Sequence, residues 1–125
     1  MGSWGFGNFD NDTAADHLSI ITKRLLDEVT EAMAGDPVEL EPDEYWGVAV
    51  PCNLELLYRL AELPYVGVCL PEPDVAADWK RRYLAVWDET IGELVESAEA
   101  RESRRAVLVE TFDRFLAAAR HEATG

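Results

Sequence analysis

Apolar positions in this chain step by three and four over long stretches, the spacing of helices that bury one face. The first stretch is Ala14, Leu18, Ile21, Leu25, Val29 and Ala32, with Lys23, Arg24, Asp27, Glu28 and Glu31 on the opposite side. It predicts a helix over about 12–34, capped at its start by Asp12 and stopped by Gly35, which precedes Asp36-Pro37. The second stretch, Tyr45 to Leu63, is apolar on nearly every side, with only Glu55, Arg59 and Glu62 charged. A helix of that kind is enclosed by protein, so 43–63 is predicted to be the central helix. Pro51 falls within it, lacks an N–H and presses its ring on the carbonyl of Gly47, so a kink is expected there.

Ala76, Trp79, Tyr83, Trp87, Ile91, Leu94 and Ala98 mark a third helix over about 74–95. Leu108, Phe112, Phe115, Leu116 and Ala119 mark a fourth over about 104–120, with a turn near Ser97 or Ser103 before it. The proline-rich stretch 64–73 has no strand to pair with and is predicted to be an ordered, largely buried loop. The pattern therefore predicts an all-α fold: a single compact bundle of about four helices, one domain over 1–125.

Ahead of the first helix, Trp4, Phe6 and Phe9 alternate with Gly2, Gly5 and Gly7 and lead into Asp10-Asn11-Asp12. Rings this large are predicted to plug a groove of the bundle, packing the N-terminal aromatic segment on the helices. Trp4→Ala is then expected to cost about 3–5 kcal/mol. The nearby Asp10, Asp12, Asp16 and His17 lack the alternating ligands and central glycine of a calcium loop, and helix capping accounts for the carboxylates.

Composition narrows the functional classes. A chain of 125 residues buries enough surface to fold without metal or disulfide. Its 25 Asp and Glu against 11 Lys and Arg leave a net charge of −14, which opposes nucleic acid and anionic membranes. No apolar run reaches the roughly 20 residues of a membrane span, and Trp4 to Phe9 is not a signal peptide. A cytoplasmic location is the expectation, with Cys52 and Cys69 as reduced, buried thiols.

The two histidines, His17 and His121, lie at opposite ends of the chain and form no zinc spacing with the cysteines. Gly5-Phe6-Gly7 is followed by no Lys-Ser/Thr and preceded by no strand, so it is not a phosphate loop. No catalytic residue, metal site or cofactor is predicted. What remains is charge. Asp36, Glu39, Glu41, Asp43 and Glu44 put five carboxylates into the connection between the first two helices, the candidate surface for a basic protein partner. Lys80-Arg81-Arg82 and Arg101/Arg104/Arg105 are the only basic clusters, expected to pair within the chain with that acidic connection and with solvated helix faces.

The segment Trp4-Gly5-Phe6-Gly7-Asn8-Phe9-Asp10-Asn11-Asp12, followed by Ala14-Ala15-Asp16, resembles the start of the bacterial family called domain of unknown function 4259. The resemblance implies a small helical domain and carries no activity or site residue with it. The functional expectation is a non-enzymatic protein-interaction module, in a narrower form an immunity- or antitoxin-type protein. The alternative is a small-ligand binder or enzyme with a pocket between the central helix and Trp46, Trp79 or Trp87.

Overall fold

A computed structural model describes residues 3–35, 38–90 and 97–124. Four helices follow one another: α1 (Asp12–Ala32), α2 (Tyr45–Glu62), α3 (Pro73–Thr90) and α4 (Ala98–Thr124). The fold is all-α, as the periodicity predicts. α1 packs on α2, α2 on α4, and α4 on α3. Residues 28–32 of α1 lie beside the start of α2, and Asn53 of α2 reaches Leu25 and Glu28, so α1 and α2 run antiparallel.

The core fills the space between these helices with Val29, Met33, Val50, Leu54, Leu57, Trp79, Tyr83, Trp87, Leu108, Phe112 and Phe115. Trp79 stacks on Phe115 at 6.1 Å and Tyr83 tilts against Phe112 at 5.3 Å. Ion pairs Lys80–Asp113 and Arg105–Asp88 tie α3 to α4, and Arg114–Glu62 ties α4 to α2. Each is partly exposed and contributes only about 0–1 kcal/mol. Of the basic clusters, Lys80 and Arg105 pair across to another helix, Arg81 and Arg82 pair with Asp78 of their own helix, and Arg82 also reaches the Gly35 carbonyl at the start of the acidic connection.

α2 runs unbroken through Pro51. Proline at 51 cannot donate to the carbonyl of Gly47, which leaves a buried acceptor. Tyr83 of α3 supplies the missing donor: its hydroxyl donates to the Gly47 oxygen at 2.6 Å. Gly47 is required for a second reason, because a Cβ there would stand 2.2 Å from the carbonyl oxygen of Glu41.

Other helix ends differ from expectation in detail. Asn11, not Asp12, caps α1, its Oδ1 accepting from the Ala14 N–H at 2.8 Å. Gly35 does not adopt a left-handed cap; Arg82 closes α1 instead, donating to the carbonyls of Met33 and Gly35. α4 starts at Ala98, six residues before the predicted 104, because Ser97 Oγ accepts from the Ala100 N–H. The third helix is described only to Thr90, so the predicted burial of Ile91 and Leu94 lies outside the described residues.

The buried face of α1 is rotated from the predicted stripe. Leu18, Thr22 and Val29 are buried while Ile21 is exposed. Thr22 replaces an apolar side chain because its hydroxyl donates to the Leu18 carbonyl and accepts from the Cys69 N–H. Ser19 Oγ donates to Gly67 O alongside it. Gly67 has φ +114°, and a Cβ there would meet Ala15 O at 2.3 Å, so only glycine lets the loop approach α1 this closely. The loop is ordered by these bonds, yet residues 63–66 are exposed and 67–71 half-buried; it is not the buried segment predicted.

The largest departure is at the N-terminus. Phe6 is fully exposed and Trp4 is 51% exposed; neither plugs a groove. Phe9 stacks on Tyr65 at 4.3 Å, and Trp4 only edges a shallow hollow beside Asp12, Ala15 and Asp16. The segment closes on itself: Trp4 N–H donates to Asp10 O, and the Asp10 carboxylate accepts from Gly7 N–H at 2.9 Å. Asp10 lies directly over Gly5 and Gly7, which accounts for their lack of side chains.

Candidate functional site, an acidic groove

The connection between α1 and α2 is extended, so successive side chains alternate in direction. Val38 and Leu40 turn inward and are buried, while Glu39 and Glu41 turn outward. A turn in which Glu44 N–H donates to Glu41 O then delivers the chain to α2. Glu44 is the N-cap residue, yet its side chain makes no capping bond. The absence of a Cβ on Gly47 lets this connection lie against the first turn of α2.

These elements enclose an open cavity of about 680 Å³. Glu28 and Glu31 of α1 form one wall; Glu39, Glu41 and Glu44 form the other. Tyr45 and Trp46 line it from α2, edge to face at 5.0 Å. Asn53 donates to Glu28 Oε1 at 2.9 Å and fixes that carboxylate in place. No Lys or Arg lines the cavity among the described residues. Arg82, the nearest guanidinium by its bond to Gly35, is taken up by backbone carbonyls and Asp78.

Helix electrostatics make this placement informative. Glu41 and Glu44 sit at the positive end of α2, where carboxylates are favoured. Glu31 sits in the last turn of α1, where a cation is favoured, and that turn carries no basic residue. Arg82 of α3 answers this end of α1 from outside the helix, by donating to the Met33 and Gly35 carbonyls.

Of the five predicted partner-binding residues, Glu39, Glu41 and Glu44 converge on the groove. Asp43 is exposed beside it without lining it, and Asp36 lies outside the described residues. Sequence reasoning missed Glu28 and Glu31. Their i, i+3 spacing on the polar face of α1 was the available signal, once α2 is folded back antiparallel. It also missed the aromatic floor. Trp79 and Trp87 are core residues, so only Trp46 of the three tryptophans reaches a cavity. Cys52 is exposed and Cys69 half-buried, which corrects the expectation of two buried thiols.

A second hollow of about 930 Å³ lies between the end of α2, the 65–70 loop and α4. Its Arg114 is held by Glu62 at 2.6 Å and lies over the Tyr58 ring at 4.5 Å, so that guanidinium is answered within the chain. No helix among the described residues is long and apolar enough to cross a membrane. Comparison of the chain with protein-family models, curated proteins and solved structures found no match.

Proposed function

We propose that this domain is a protein-interaction module whose acidic groove receives a basic segment of a protein partner. The observation that carries the reading is the convergence of five glutamates on an aromatic floor with no cation lining it among the described residues. A Lys or Arg side chain entering the groove would find carboxylate acceptors on both walls and the faces of Tyr45 and Trp46, which attract cations. The net charge of −14 would steer such a partner and make association fast and salt-sensitive. The narrower form is an immunity- or antitoxin-type protein, in which the basic partner is a toxin.

Titration with an Arg-rich helical peptide, against the same peptide with Arg replaced by Gln, tests this by calorimetry. Glu39→Gln, Glu41→Gln and Glu44→Gln together should weaken binding by at least tenfold, about 1.4 kcal/mol. Raising salt should weaken the wild type more than the triple variant. Equal binding of both peptides, or an unchanged affinity in the triple variant, overturns the groove assignment.

A further inference from the structure

α2 has two apolar faces, and this chain covers only one. Val50, Leu54, Leu57 and Tyr58 face α1 and α4 and are buried. On the opposite side Tyr45, Val48, Cys52 and Leu56 step by three and four along the helix, and the row continues through Arg59 to Leu63, the C-cap residue. Tyr45 is 74% exposed, Leu56 51%, and the others are also exposed. A solvent-facing apolar row of five residues, about 27 Å long at 1.5 Å per residue, is the signature of an interface rather than of scattered surface residues.

We propose that this face pairs with the same face of a second copy, antiparallel, about a two-fold axis at Cys52. With Arg59 counted, positions 45, 48, 52, 56 and 59 are symmetric about that residue, and Leu63 lies beyond the symmetric stretch. Val48 then meets Leu56 of the partner subunit, Cys52 meets Cys52 of the partner subunit, and Arg59 meets Tyr45 of the partner subunit. Such an isologous contact needs one self-complementary patch, which this row is.

Charge selects this occupant. Arg59 is the only cation on the face, and among the described residues it forms no ion pair; its guanidinium rests over Tyr58 at 5.4 Å. The antiparallel arrangement delivers it to the end of the row that holds Glu44 and the exposed Tyr45 ring. It finds there both a carboxylate and an aromatic face. The net charge of −14 per chain does not forbid the pairing. Each acidic groove begins at Tyr45, seven residues or about 10 Å from the axis, so the two grooves lie about 20 Å apart. That exceeds the screening length of about 8 Å at physiological salt. Pairing draws on Glu44 and Tyr45 at the edge of the groove but does not depend on the groove's binding a basic partner.

Light scattering on the full chain should give twice the 14.0 kDa of one chain. Leu56→Asp and Arg59→Glu, both at exposed positions and checked for folding by circular dichroism, should each return the mass to one chain. In a Cys69→Ser background a short bismaleimide should join two chains through Cys52, and Cys52→Ser should abolish that product. A wild-type mass of one chain overturns the proposal. So does a double mass that survives Leu56→Asp and gives no Cys52 cross-link, which would place a dimer on another face. Retained groove binding in Leu56→Asp would show that failure of one proposal leaves the other intact.

Discussion

Removing the Tyr83 hydroxyl tests the account of how a proline is held inside α2. Tyr83 is buried, and its hydroxyl donates to the Gly47 carbonyl at 2.6 Å, the acceptor that Pro51 cannot serve. Tyr83→Phe keeps the ring, its packing on Phe112 and nearly all the volume. What it removes is one hydrogen bond, and it leaves a buried carbonyl without a donor. That carries a penalty of about 1–3 kcal/mol. For a domain of this size each kcal/mol lowers the melting midpoint by roughly 3–5 °C.

The diagnostic measurement is the double-mutant cycle with Pro51→Ala. Alanine restores an N–H at 51 that can donate to Gly47, so the carbonyl no longer depends on Tyr83. Pro51→Ala has its own effect, since it removes ring atoms from the core and a strained contact from the helix, but the cycle cancels it. Tyr83→Phe should then cost less than about 1 kcal/mol, giving a coupling on the order of 1–2 kcal/mol. Urea unfolding followed by circular dichroism, with matched slopes, measures all four corners. Equal costs of Tyr83→Phe in the two backgrounds would refute the assignment of the hydroxyl to the orphaned carbonyl.

Two further outcomes follow from the same geometry. Burial pushes the Tyr83 hydroxyl up to about 12, with Arg104 pulling weakly the other way, against about 10 unfolded. The folded state therefore holds this proton more tightly: its contribution is complete below pH 10 and is lost as pH rises from about 10 to 12, on the order of 2–3 kcal/mol in all. Tyr83→Phe should flatten that alkaline loss in chemical denaturation at stepped pH, and an unchanged slope would count against it. Trp4→Ala should move stability by less than about 0.5 kcal/mol, the usual range for an exposed site, whereas Phe9→Ala should cost more because it removes the stack on Tyr65. A loss of several kcal/mol at Trp4 in thermal melts would restore the groove-plugging expectation.

Much of the fold was legible because helical periodicity reports burial directly. The Trp79, Tyr83, Trp87 stripe and the Leu108 to Ala119 stripe lie in the core where the spacing put them. Thr22 was not legible, because its burial depends on Cys69 and Gly67, more than 40 residues away, arriving to share its hydroxyl. For Arg82 the triplet signals pairing within the chain but not its target: backbone carbonyls at the open end of α1, which α3 brings within reach. At the N-terminus, ring size alone does not decide burial. Asp10 instead spends its carboxylate and carbonyl on the segment's own backbone, which closes the segment into a small turn that leaves Phe6 in solvent and Trp4 half-exposed at the edge of α1. Three of the groove residues were legible as a charge run, but the concavity was not, since it comes from Val38 and Leu40 anchoring the connection from inside.

The expectation that α2 is enclosed on all sides fails within one chain, and the failure is informative. An all-round apolar helix records what surrounds it in the working state of the protein, and composition does not say which chain supplies the wall. α1 and α4 supply one half. The other half is an ordered row with a single cation, and a two-fold axis at Cys52 would place that cation where the row's acidic end lies. In that assembly the enclosed helix is recovered, with the partner subunit as its second wall. The acidic groove opens at the end of the same helix; its Tyr45 and Glu44 edge would meet the pair contact, leaving Glu28, Glu31, Glu39 and Glu41 for a basic partner. On these two proposals together, α2 serves three purposes at once: its inner face holds the domain, its outer face pairs two domains, and its first turn floors a groove in each. The isolated domain would then be stable but exposed, so Leu56→Asp is expected to abolish pairing while leaving the melting behaviour of the single domain close to that of a dilute wild-type sample.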